Sequence, residues 1–212
     1  MTFQIFVPRD EVTHQRCDPY SVIYHLSGLT CDWTNAADKS GYAQAASLHK
    51  LAIVFPDTSP RGIEHPIVEP ANYKIGFGAG HYCDATAEGW SKNFNMYSYI
   101  TKELPAIVEK FFHVSSTHKS IMGHSMGGNG ALNIAARNPG MYKSVSAFAP
   151  IGNSSNADHR VCGAAMKAYF ANKPEEAKMY DCSESIMAAK HMPHGLIDQG
   201  THDDFLKDMG MD

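Results

Sequence analysis

The stretch His118-Lys-Ser-Ile-Met-Gly-His-Ser-Met-Gly-Gly-Asn-Gly-Ala-Leu-Asn-Ile-Ala-Ala-Arg137 decides how this chain is read. It contains Gly123-x-Ser125-x-Gly127 between a short apolar run, Lys119 to Met122, and a helix-like segment, Gly128 to Asn138. That order is the sequence form of a nucleophile elbow, a tight strand-to-helix turn that presents a serine hydroxyl. Glycines let such a turn close without a Cβ clash. The serine then stands at a helix N-terminus, where free N–H groups and the positive end of the helix dipole favour developing negative charge.

Working outward, strand-type and helix-type segments alternate, which points to a mostly parallel sheet covered by helices. Strands are expected at Phe3 to Val7, Ser21 to Leu26, Leu51 to Phe55, Ser144 to Ala149 and Gly195 to Gly200. Helices are expected at Ser40 to Lys50, at Met96 to Phe112 with a kink at Pro105, and at Ala164 to Tyr180 interrupted by Pro174. Ser27 to Trp33 reads as a loop, and Asp57 to about Ser91 as a long irregular stretch rich in glycine and proline. A loop of that length in a compact domain is usually functional. The expected architecture is the α/β-hydrolase fold, a mostly parallel sheet with helices on both faces, in a single domain over residues 1–212.

Composition narrows the function classes. The chain has 212 residues, 43% hydrophobic and 19% charged, and a net charge of −4. This describes a globular protein with a real core and gives no basic footprint for nucleic acid. No apolar run approaches membrane-spanning length. Met1-Thr-Phe-Gln-Ile-Phe-Val-Pro8 lacks the basic region and cleavage site of a signal peptide and reads as an early strand. Cys17, Cys31, Cys83, Cys162 and Cys182 show neither a disulfide framework nor a metal-ligand spacing. A reducing, cytoplasmic setting is the expectation.

A serine hydroxyl needs a base to take its proton and a third group to orient that base. In this fold the acid follows the serine and the histidine follows the acid. Leu196-Ile-Asp-Gln-Gly-Thr-His-Asp-Asp-Phe205 is placed to supply the acid and offers Asp198, Asp203 and Asp204. The same residues would also serve a solvated acidic turn. One oxyanion-hole donor is the N–H of Met126, the residue after the serine. The other is expected from Ser27-Gly-Leu-Thr30, with Leu29 N–H as candidate and Gly28 allowing the inward turn. Gly76-x-Gly78-x-Gly80 resembles a phosphate loop but neither leaves a buried strand nor opens a helix. Strand alternation places His124 beneath the sheet, facing away from Ser125.

Several ordered motifs together resemble the S-formylglutathione hydrolase (esterase D) family. They are Leu26-Ser-Gly-Leu-Thr-Cys31, Pro56-Asp-Thr-Ser-Pro-Arg-Gly62, Asn95-Met-Tyr-Ser-Tyr99, Gly123-His-Ser-Met-Gly-Gly128, Tyr142-Lys-Ser-Val-Ser-Ala-Phe-Ala-Pro150 and Leu196-Ile-Asp-Gln-Gly200. The resemblance implies hydrolysis of S-formylglutathione to glutathione and formate, the second step of glutathione-dependent formaldehyde removal, with carboxylesterase side activity. It implies Ser125 as nucleophile, Asp204 as triad acid, Leu29 and Met126 as oxyanion donors, and Cys31 as a thiol near the site. It implies a small thioester or ester as the partner molecule, no metal or organic cofactor, and a homodimer as the expected assembly. The chain departs from the family at Tyr73-Lys-Ile-Gly-Phe-Gly78, where the family carries Trp-Asp-Phe-Gly. That loop helps shape the substrate pocket.

The family's catalytic histidine lies well downstream of the aspartate, in an Asp-His-Ser context. Here eight residues follow Asp204, none of them histidine, and all twelve histidines lie upstream of it. The expectation is therefore a partial domain, without the family's first strands and without the last strand and closing helix. Two alternatives stand beside it: a folded but inactive protein that binds a thiol or ester, and His202 acting as substitute base. A general carboxylesterase is the remaining alternative within the fold.

Overall fold

The computed structural model describes residues 1–8, 18–66 and 72–206. Cys17 lies outside them, as do the residues after Leu206. Six strands form one sheet: β1 (Phe3–Phe6), β2 (Tyr20–Leu26), β3 (Leu51–Pro56), β4 (Val114–His124), β5 (Ser144–Phe148) and β6 (His194–Asp198). Their order is β1-β3-β2-β4-β5-β6. β1 runs antiparallel to β3, and every other pairing is parallel. Runs such as Ala52-Ile-Val-Phe55 suit this arrangement, because a parallel strand is buried on both faces.

The helices are α1 (Trp33–Lys39), α2 (Tyr42–Leu48), α3 (Met96–Ser98), α4 (Leu104–Phe111), α5 (Met126–Arg137), α6 (Gly163–Tyr169), α7 (Pro174–Lys178) and α8 (Cys182–Ala188). They cover both faces of the sheet. Ala36 of α1 and Ala46 of α2 pack on Ile53 and Phe55. The alternate β3 residues, Ala52 and Val54, join Tyr24, Ile121, Leu132 and Ile134 in the larger core on the α5 side. This is the period-two alternation of a strand dividing its side chains between two layers. α5 is buried from Met126 to Ala136. Its two internal asparagines are satisfied there: Asn129 Nδ2 donates to Tyr180 O and its Oδ1 accepts from Cys182 N–H, while Asn133 Nδ2 donates to Met179 O and Ser185 Oγ. These bonds tie α8 onto α5 without leaving a buried amide unpaired.

Several elements differ from expectation: β4 begins at Val114, before the expected Lys119, α8 was not expected, and three further differences have a clear cause. α1 occupies Trp33–Lys39 just beyond the expected loop, started by Asp32, whose Oδ1 accepts from Thr34 N–H at 2.9 Å. The stretch around Pro105 widens rather than kinks. Tyr99–Glu103 is a π-helical segment that leads into α4 with Pro105 in its first turn. A wider turn accommodates a residue that lacks an N–H and crowds the carbonyl four before it. The helix expected over Ala164–Tyr180 is α6 and α7, with Pro174 opening the second, where its missing N–H is not needed.

Connectivity places the site. β2 leads to β3 on one side of it, and β4 then lies on the other side. At such a reversal of strand order the C-terminal ends of the two strands open a crevice.

Candidate active site

The crevice is a cleft of about 550 Å³ whose wall includes Leu29 and Thr30 after β2, Ser125 after β4, and Ala149 and Ile151 after β5. Ser125 takes φ 56° and ψ −117°, outside the helical and extended regions. Its backbone is held from both sides. Ser125 N–H donates to Phe148 O at 3.0 Å, and Ser125 O accepts from Asn129 N–H and Ile151 N–H at 3.1 and 3.2 Å. The glycines around it are required by contact rather than by φ. A Cβ on Gly123 would lie 2.1 Å from Gly127 O, and one on Gly127 would lie 1.9 Å from Leu26 O. Thr30 and Ala149, on the same cleft wall, also have positive φ, 68° and 42°. Strain of this kind, held by surrounding bonds, clusters at functional sites.

The loop carrying Leu29 is pinned. Thr30 N–H donates to Gly78 O, Tyr82 OH to Ser27 O, and Arg61 to Cys31 O. Arg61 is itself oriented by the buried Asp57 carboxylate, 2.9 Å from its Nε. Leu29 N–H makes no protein hydrogen bond among the described residues. Met126 is the first residue of α5, so its N–H is one of those a helix leaves without an internal acceptor. Gly76-x-Gly78-x-Gly80 serves this packing. A Cβ on Gly80 would lie 2.5 Å from Thr58 O, and one on Gly78 would lie 3.0 Å from Thr30 Cα.

The carboxylates after β6 separate. Asp203 is half-buried and lines the cleft with Ser125; its oxygens accept from Gln199 Nε2 and Phe205 N–H. Asp204 is exposed and lies off the cleft wall. Asp198 accepts at its main-chain oxygen from Ala149 N–H, joining β6 to the turn after β5. His202 is exposed, bonded to Thr201 Oγ1, and outside the cleft.

His124 departs from its expected place beneath the sheet. It is the last residue of β4, is exposed, and lines the same cleft as Ser125. Desolvation lowers its pKa, and the Asp203 carboxylate opposes that shift. Cys31 is half-buried, with burial raising its thiol pKa, and it does not line the cleft. Cys31, Cys83, Cys162 and Cys182 are free thiols. Tyr73, Lys74, Arg160, Val161 and Phe205 complete the wall, and sequence reasoning had assigned none of them individually. Among the described residues no group of three His, Cys, Asp or Glu side chains could hold a metal ion. None of the described helices is long and apolar enough to cross a membrane.

Fold and site together define a serine hydrolase of the α/β-hydrolase type. The esterase family model matches residues 1–211. Curated S-formylglutathione hydrolases of Bos taurus and Arabidopsis thaliana are 43% and 44% identical over 98% of this chain, which spans 72% of each. The structure of an S-formylglutathione hydrolase from Agrobacterium tumefaciens matches with a TM-score of 0.89 at 42% identity, over 98% of this chain and 72% of that one. The chain belongs to the S-formylglutathione hydrolase family of esterases.

Proposed function

We propose that this chain is a serine thioesterase that hydrolyses S-formylglutathione to glutathione and formate, with carboxylesterase side activity. The observation that carries the reading is the strained Ser125, held by three backbone hydrogen bonds at the N-terminus of α5 on a cleft wall that also carries Leu29. In this mechanism Ser125 Oγ attacks the formyl carbonyl as a base takes its proton. The Leu29 and Met126 N–H groups stabilise the tetrahedral oxyanion. Collapse releases the glutathione thiol, and water then hydrolyses the formyl-serine ester. Relatives of the same name at 42–44% identity support the substrate.

The acid is assigned to Asp203 rather than Asp204, because Asp203 lies in the cleft with Ser125 and Asp204 points into solvent. Asp203→Asn is expected to lower acylation of Ser125, by up to about 10⁴-fold where a triad histidine completes the set and by much less in this chain alone. Asp204→Asn should leave it unchanged. Rates of S-formylglutathione and p-nitrophenyl acetate hydrolysis test this, and the reverse ranking would return the role to Asp204.

One observation favours the reading of binding without turnover. Among the described residues His124 is the one histidine on the cleft wall, and Asp203 accepts its hydrogen bonds from Gln199 and Phe205 rather than from an imidazole. Failure of a fluorophosphonate to label Ser125 in the folded chain, together with no steady-state hydrolysis, would select that reading. The homodimer rests on the family resemblance and is checked by sedimentation. A cytoplasmic location accords with the free thiols of the described cysteines.

A further inference from the structure

Lys74 is the most unusual group on the cleft wall. It comes from the long segment between β3 and α3, fifty-one positions before Ser125, in the stretch where the chain departs from the family pattern. It is half-buried, and its Nζ donates to Arg160 O at 2.6 Å, which joins this segment to the one following β5. The Tyr73 ring lies 5.7 Å from the same ammonium. Lys74 has no carboxylate partner among the described residues. An ammonium has three donors, and the Arg160 carbonyl occupies one of them.

Among the described residues the other charged or titratable groups facing the cleft are Tyr73, Arg160, Asp203 and His124. Asp203 is held by Gln199 and Phe205, and burial keeps His124 toward its neutral form. Among the described residues of the wall, Lys74 is a cation with no carboxylate partner, and Asp203 is the one carboxylate.

We propose that Lys74, braced by the Arg160 main chain, is a carboxylate-recognition subsite at the mouth of the cleft. It selects esters and thioesters whose leaving or acyl group carries a carboxylate near the reacting carbonyl. The inference builds on the thioesterase reading, in which the glutathionyl group supplies two such carboxylates. It assigns one of them a partner.

The test needs no turnover. S-methylglutathione and its diethyl ester are compared for binding by calorimetry and for protection of Ser125 against a fluorophosphonate. The acid is expected to bind about tenfold more tightly than the diester, as one charge-assisted hydrogen bond would give. Lys74→Met should remove that difference by weakening the acid alone, and Lys74→Arg should restore it. Raising the salt concentration should narrow the gap, because the site is open to solvent. A wild-type urea midpoint and near-UV dichroism in each variant show that the fold is intact. Equal binding of acid and diester to the wild-type chain overturns the proposal, as does an unchanged affinity of Lys74→Met for the acid. If neither glutathione compound binds, the substrate reading fails separately. The subsite is then judged by acylation of Ser125 with mono-4-nitrophenyl succinate against 4-nitrophenyl butyrate. A Lys74-dependent preference for the succinate upholds it, and equal rates overturn it.

Discussion

Replacing Ser125 by glycine should stabilise the fold while it abolishes acyl transfer. Ser125 sits at φ 56°, ψ −117°, a conformation that costs a residue with a Cβ about 1–3 kcal/mol. Glycine adopts it freely but has more unfolded-chain entropy to lose, about 0.4–1 kcal/mol. The proper reference is Ser125→Ala, which removes the hydroxyl and its bonds yet keeps the Cβ and therefore the strain. Glycine over alanine is then worth about 1 kcal/mol net. For a chain of this size that raises the melting temperature by about 2–4 °C. Calorimetry on both variants under the same conditions reads the difference, and fluorophosphonate labelling confirms that neither reacts. If Ser125→Gly melts at or below Ser125→Ala, the elbow is not strained and the argument fails. The three backbone hydrogen bonds that clamp Ser125 would then merely accompany a relaxed turn.

Gly127→Ala is expected to cost about 3 kcal/mol or more, because the new Cβ meets Leu26 main chain in the sheet interior and that backbone cannot move aside; a near-native urea midpoint would contradict it. Stability should fall as pH drops from about 6.5 to about 4. Burial holds the folded-state pKa of both His25 and His81 down to about 4, with His124 adding to the effect at His25. The unfolded chain therefore binds more protons across that window, at about 2 kcal/mol per histidine by pH 5. A flat urea-midpoint profile from pH 7.5 to 5, or one that His81→Phe does not flatten, would refute this assignment. Removing the buried carboxylate with Asp57→Ala should both destabilise the chain by about 1–3 kcal/mol and slow labelling of Ser125. Arg61 and Thr58 would lose the group that orients them beneath the Leu29 loop.

The elbow was legible because its chemistry is local: glycine, serine and glycine at fixed spacing between a strand and a helix admit few other backbones. The β3 strand was legible for a similar reason, since Ala52-Ile-Val-Phe55 is apolar on both faces and ends at Pro56. α1 was harder to see, because its start signal, Asp32, lies inside a stretch that also reads as loop. Asp203 and Asp204 are adjacent carboxylates in one turn, and nothing in their identity says which will face the cleft. His124 ends its strand at the cleft, and alternation does not say where a strand ends. Lys74 was visible only as part of the Tyr73–Gly78 departure from the family pattern, and nothing in that stretch said which of its side chains would reach the cleft.

The sequence by itself determined the elbow at Ser125, the layered α/β architecture and the family, because each rests on neighbours along the chain or on ordered motifs. Only the tertiary structure decided which aspartate joins Ser125, where His124 lies and that a lysine borders the cleft. Those depend on segments far apart in sequence converging at the ends of β2, β4, β5 and β6, and such convergence is set by packing rather than by any local pattern.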